Sequence, residues 1–375
     1  MKRTVRNEIA DYWEEAFDKI MGEGNVEVER VTESIAPYFS MISNDGNFTD
    51  NALNIDIGGG TTDMLFADVE NKTFYYTSSK FAGDDIWGDG KHLVDNKKKD
   101  NGFVKDFEDK LANHSLLVSN DRCKGYEQYK SLVKKSSDLM SYIFRYEDEF
   151  KYTGYIRKSQ DKLMPVLCVH LGAILYHVAQ VLTERHITIP STITFSGMGA
   201  KYIHIISDNE RDVKDIVKML LSTFMESLSG GGKSNMPRNF KVKFQANAKE
   251  VTAQGAMLVN HDSLQEIREY EEEPLCVFGI DKKIDDELEY ADVPKFKDDV
   301  IRSYGAFLDA FVRNKRVVRF FKEEFGIIFK DSLIEKLEQE ASQSFDLMSK
   351  NPAADYVSET MFFWPLKNGL YEASK

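Results

Sequence analysis

Past residue 50 the apolar and polar positions of this chain group into a strand-rich stretch, a polar gap, and then alternating helices and strands. The strand Asn54–Ile57 runs into glycines. Met64–Val69 and Thr73–Thr77 are β-prone runs split by Glu70, Asn71 and Lys72, so the spacing predicts a meander of about three strands. A helix near Ile86 follows. Further on, Leu163–Leu182 predicts a helix apolar on every side, Thr192–Ser196 a strand, Arg211–Ser229 a helix, Phe240–Ala246 a strand, and Lys249 to about Asn260 a helix. Before residue 50 only a helix-like stretch from about Asn7 to Ile20 and a short strand near Val26–Val28 stand out.

The polar gap, about Lys91 to Gln160, is rich in lysine, aspartate and tyrosine, and Lys97–Asp100 marks a solvated loop. After Asn260, Glu266–Glu273 is acidic and helix-like, and Leu275–Ile280 with Glu287–Val293 reads as a small hairpin. From Phe296 to about Lys350 the spacing is helical, with Gly326 as a break. Arg313–Lys322 is basic with interleaved aromatics, but Glu323 and Glu324 follow at once, which points to an ordinary amphipathic helix. Met361–Leu366 is apolar enough to need a surface to pack on, either this C-terminal region or a partner.

Composition narrows the function classes. A chain of 375 residues, 42% hydrophobic and 30% charged, can bury a sizeable core and allows two or three domains. Its net charge of −13 disfavours nucleic acid as a partner, because a phosphate backbone repels such a field. Cys123, Cys168 and Cys276 are widely spaced, which argues against a zinc site or an iron–sulfur cluster. Met1–Glu8 has basic residues with no apolar core behind them, so no signal peptide is expected and the expected location is cytoplasmic. Leu163–Leu182 is only just long enough to span a bilayer, at about 20 residues, and carries Pro165, His170, His177 and Gln180. A buried helix is the better reading, and no membrane span is expected. The two histidines have no acid partner nearby and read as satisfied core residues. Gly230–Ser234 contains Gly-Lys-Ser but has Ser227 where a Walker loop needs glycine, so it reads as a helix-to-strand loop.

The chemistry concentrates at residues 54–63, Asn-Ile-Asp-Ile-Gly-Gly-Gly-Thr-Thr-Asp. Gly58, Gly59 and Gly60 allow positive φ and let backbone N–H groups approach a phosphate with no Cβ in the way. Thr61 and Thr62 offer hydroxyl donors, and Asp56 and Asp63 offer hard oxygens for Mg²⁺, directly or through water. The turn joins two strands, unlike a Walker loop or a dinucleotide fingerprint, which lead into a helix.

That turn resembles the phosphate-binding hairpin of the ATPase superfamily that includes actin, the heat-shock chaperones and the sugar kinases. Four further segments resemble the same family in the same order. Val31–Tyr38 is similar to the segment crossing between the halves of the family fold, with Glu33 at a Mg²⁺-facing position; Phe81–Ile86 is similar to the Gly-x-Asp turn after the third strand. Ile193–Lys201 is similar to the adenosine motif, although Met198 stands where a second glycine is usual and Gly199 comes one residue later; Ala248–Met257 is similar to the second connecting helix.

The resemblance implies an α/β chain: a ribonuclease-H-like domain with a mixed five-stranded sheet and a lid-like insertion, followed by a mostly helical C-terminal domain. The expected division is 1–50 as the tail of a first ATPase half and connecting segment, 51–262 as the second half with the insertion at about 91–160, and 263–375 as the C-terminal domain. No Asp-x-Gly-x-Thr strand precedes Glu33, so the expectation is a C-terminal piece of a longer polypeptide whose other half, or another protein, is its partner. The implied ligands are ATP or ADP with Mg²⁺. Gly58, Gly59, Gly60, Thr61, Thr62 and Gly83 would surround the phosphates, Asp56 and Asp63 would hold the metal and order an attacking water, with Glu33 behind them as a further catalytic acid, and Gly197, Met198 and Gly199 would form the nucleoside floor. The implied function is an ATP-binding switch, hydrolytic if completed by an opposite phosphate loop. The alternative is an interaction protein that keeps the fold without the nucleotide cycle; a sugar or small-molecule kinase ranks last.

Overall fold

The computed structural model describes residues 3–22, 50–87, 140, 143–144, 147–159, 162–232, 234–245, 257, 270–274, 279, 288–350, 357 and 360–374. Glu33, the connecting segment, most of the 91–160 insertion and the helix expected from Lys249 lie outside these residues.

The chain is α/β. Its strands are β1 Ala52–Ile57, β2 Thr62–Asp68, β3 Thr73–Ser79, β4 Thr192–Ser196, β5 Lys241–Phe244 and β6 Glu271–Pro274, in the order β5-β4-β1-β2-β3-β6. β1, β2 and β3 form an antiparallel meander, while β4 joins β1, β5 joins β4 and β6 joins β3 in parallel. The five expected strands are all present, with β6 as a sixth on the β3 edge. The period of two sends Leu53, Ile55, Ile57, Met64, Phe66, Ile193 and Phe195 to one buried face.

The helices are α1 Arg3–Met21, α2 Gly83–Trp87, α3 Leu163–Glu184, α4 Glu210–Leu228, α5 Lys297–Ala310, α6 Lys315–Phe325, α7 Asp331–Met348 and α8 Trp364–Ser374; single turns and short helices such as Tyr152–Ser159 and Ile203–Ile206 lie between. Among the described residues α3 is the one helix long and apolar enough to cross a membrane, and 89% of its most apolar window is buried inside the protein. Pro165 falls in its first turn, where a missing N–H is tolerated. Gly172 lets the Phe311 ring approach so closely that a Cβ there would lie 3.1 Å from it. α3, α4 and the sheet share one core with residues of α5, α6, α7 and α8, including Phe307, Phe321, Leu337, Leu366 and Leu370.

Two expectations fail. Glu271–Pro274 is strand where a helix was expected: Glu271 N donates to Lys72 O at 2.9 Å, Tyr270 stacks on Phe74, and Arg185 pairs with Glu273 at 3.0 Å. The open edge of β3 supplies partners that a local pattern cannot register. Leu288–Val293 is not a strand either; Glu289 makes an isolated bridge, and turns lead into a 3-10 helix, Val293–Phe296, with Pro294 in its first turn. Leu288 and Val293 instead pack with Phe345 and Trp364 in a small satellite core. The helical stretch after Phe296 breaks at Gly326, a left-handed C-cap with φ 66°, and again before Asn314, whose side chain caps α6.

Candidate functional site

β1, β3 and β4 all run toward the same edge of the sheet, so the turns that leave them gather there. The Gly58–Thr61 turn is closed by Gly58 N donating to Thr61 O at 2.8 Å. The turn after β3 lies against it, with Gly83 N donating to Gly58 O at 3.1 Å and Asp84 N to Gly59 O at 2.7 Å. The turn after β4 closes the cluster: a Cβ on Gly83 would lie 3.6 Å from Gly199 Cα.

The glycines act differently from expectation. None of Gly58, Gly59 and Gly60 has positive φ, whereas Gly197 does, at 85°. A Cβ on Gly197 would lie 2.5 Å from Asp56 Oδ1 and 2.6 Å from the Ile57 carbonyl carbon, and one on Gly199 would lie 2.7 Å from Ile57 O. Gly197 and Gly199 are therefore demanded by close backbone packing. Gly59 and Gly60 are exposed, and a Cβ on either would make no approach closer than 3.4 Å to the described residues beyond its chain neighbours. Their amides donate to no described residue.

Asp56 and Asp63 are directly opposite each other in the β1–β2 register and so project to the same face. Asp63 is exposed and accepts from Thr61 Oγ1 at 3.4 Å; Asp56 is half-buried and accepts from Ser196 Oγ at 3.0 Å. Like charges across an antiparallel pair repel, so the arrangement favours a cation or donors between them. No group of three or more His, Cys, Asp or Glu side chains gathers at metal distance among the described residues. A pair suits Mg²⁺, which takes one or two carboxylates and completes its shell with water and phosphate oxygens.

Thr62 is separated from this face by the strand period. It is fully buried and donates its hydroxyl to Phe81 O at 2.6 Å, so it braces the β3 turn and presents no donor to a ligand. Met198 is half-buried against the edge of the core. Sequence reasoning missed three contributors. Ser196 holds Asp56, and Asn54 Nδ2 in turn donates to Ser196 Oγ at 3.3 Å. Asp84 sits beside the glycine turn, its Oδ1 3.4 Å from the place a Gly59 Cβ would take. The parallel pairing of β4 with β1 was the signal that could have linked Ser196 to Asp56.

His170 ties the site to the helix behind it. Its Nε2–H donates to Ala82 O at 3.0 Å and its Nδ1 accepts from Tyr202 Oη at 2.9 Å, so one neutral ring joins the turns after β3 and β4. Burial pulls its pKa down to about 3, which keeps it neutral.

The chain matches no protein-family model, no curated protein and no solved structure.

Proposed function

We propose that this chain is a nucleotide-binding module of the ATPase superfamily that includes actin, heat-shock chaperones and sugar kinases, acting as a switch driven by Mg·ATP and Mg·ADP. One observation carries the reading: an exposed glycine turn whose Gly59 and Gly60 amides donate to no described residue stands beside the paired carboxylates Asp56 and Asp63. Strand order adds support. The arrangement β3-β2-β1-β4-β5, with an antiparallel meander and two parallel additions, is compatible with the ribonuclease-H-like sheet that the resemblance implies. It reverses direction at β1, and open α/β sheets bind ligands beyond the carboxyl ends of their strands at such a point.

On this reading the Gly59 and Gly60 amides donate to phosphate oxygens, Asp56 and Asp63 hold Mg²⁺ directly or through water, and Ser196 fixes the Asp56 carboxylate. The Gly197–Gly199 turn makes the nucleoside floor. A bound metal would neutralise phosphate charge. The chain's own groups orient the polyphosphate, which is most of what catalysis of phosphoryl transfer requires.

The test is the thermal midpoint with and without millimolar Mg·ATP, Mg·ADP and Mg·GTP. A ligand at a hundred times its Kd stabilises by ~2.7 kcal/mol, a rise of several degrees. The rise should vanish with EDTA and in the Asp56→Asn, Asp63→Asn double variant. No rise in the unmodified chain would favour the interaction-protein reading, for which Met198 in the floor is the supporting feature.

A further inference from the structure

We infer that Lys367, on the C-terminal helix α8, is a positioning residue for the glycine turn more than 300 residues earlier in the chain, acting through Asp85. The inference rests on the reading of that turn as the ligand site.

The argument follows one carboxylate. Asp85 Oδ2 accepts from Ala82 N at 2.8 Å, and its Oδ1 lies 3.8 Å from Lys367 Nζ. Ala82 is thereby held at both ends, its amide by Asp85 and its carbonyl by His170. The next two amides, those of Gly83 and Asp84, are the ones that donate to Gly58 O and Gly59 O. Any shift of Asp85 moves the donors that set where the Gly59 and Gly60 amides point.

Burial separates this ion pair from the others among the described residues. The side chains of Lys367 and Asp85 are 12% and 15% exposed, whereas those of Arg319 and Glu323 on α6 are 76% and 57% exposed. An exposed pair contributes little. Removing one partner of a largely buried pair weakens the hold on the other charge, and the turn must adjust around it. Lys367 is also the cation in a segment whose neighbours Trp364, Leu366 and Leu370 are fully buried. Packing anchors it there: Phe363, just before α8, stacks on Phe81 at 4.4 Å, and Phe81 stacks on His170 at 4.4 Å from α3. The turn after β3 is therefore gripped from α3 through His170 and from α8 through Lys367. Coupling of this kind is reciprocal: a ligand that orders the glycine turn strengthens the docking of α8 by the same factor.

Hydrogen–deuterium exchange on the full chain tests this without any ligand, because the Gly58, Ala82, Gly83 and Asp84 amides are all hydrogen-bonded. Lys367→Met should raise exchange in peptides covering 58–61 and 82–85 by about tenfold while peptides from β4 and α4 keep their rates, and Lys367→Arg should restore protection. Unchanged exchange at 58–61, or an equal rise throughout the chain, would overturn the inference. If Lys367→Met fails to fold, Asp85→Asn carries the same comparison, since the amide oxygen still accepts from Ala82 N while the charge is lost. Faster exchange at 58–61 supports the inference, and wild-type exchange overturns it. A second arm measures the Mg·ATP-dependent rise in thermal midpoint, which Lys367→Met should reduce and Lys367→Arg retain. If the unmodified chain shows no such rise, the nucleotide reading fails while the exchange data still decide the role of Lys367.

Discussion

A methyl group added at Gly197 meets the Asp56 carboxylate and the β1 backbone at 2.5–2.6 Å, while one added at Gly59 comes nearest to the tip of Asp84, at 3.4 Å. Gly197→Ala combines a left-handed backbone with overpacking and should lower stability by about 2–4 kcal/mol in urea titrations. Gly59→Ala should change stability by less than ~1 kcal/mol yet diminish the response to Mg·ATP. Equal destabilisation by both would show that the Gly58–Thr61 turn is glycine-rich for packing alone. At this scale the string from Asp56 to Asp63 was legible as a strand, a turn and a strand, whereas the shared face of the two acids comes from the β1–β2 register, which the string does not carry. The role of Thr62 was not legible from the motif, because its acceptor is a carbonyl 19 residues away. The use of the glycines was misread for the same reason: what decides each is the distance to a neighbouring turn.

Among the elements, α3 and β4 were the most legible, the helix because a long apolar run broken by Pro165, His170, His177 and Gln180 suits burial in a core and the strand because turns bound it on both sides. β6 and the Leu288–Val293 turns were not, since a strand edge and a satellite core decide them through contacts remote in sequence. The histidines of α3 show what burial of a whole helix does to titration. His177 has Gln180 Oε1 at 3.3 Å from Nδ1 and no partner for its buried Nε2 among the described residues; burial pulls its pKa down to about 4, as it pulls that of His170 to about 3. Both lie below the value of about 6.5 for an unfolded histidine. The unfolded chain therefore binds more protons from about pH 6.5 downward, so their contribution is intact above that pH and declines as the pH falls toward the folded values. Each histidine should lower stability by roughly 1.4 kcal/mol per pH unit in that window. The drop in thermal midpoint from pH 7 to pH 5 should shrink in His177→Leu and in His170→Gln; an undiminished drop would assign acid sensitivity to the carboxylates.

Over the whole molecule, the motifs read from the sequence end near Asn260, and nothing in the pattern of the tail says what it packs on. The ring contacts answer that. Phe362 meets Tyr176 of α3 at 5.3 Å and Phe307 of α5 at 5.8 Å, Phe363 meets Phe81 at 4.4 Å, and Ser344 of α7 bonds the Trp364 carbonyl. Phe362, Phe363, Trp364, Leu366 and Leu370 are each at most 1% exposed. Truncating one buried phenylalanine to alanine costs roughly 3–5 kcal/mol, and a folded domain holds roughly 5–15 kcal/mol in all. A chain ended at Thr360 loses these five large side chains and the equally buried Met361 together, more than that margin can absorb. It should show no cooperative unfolding transition at 25 °C by calorimetry or urea titration, while the full chain melts in one step. Retention of a wild-type transition by the truncated chain, or two separate transitions in the full one, would mean that the tail rests on the core without completing it. The same measurement bears on the glycine site, because the segment that closes the core is the segment that grips the turn after β3.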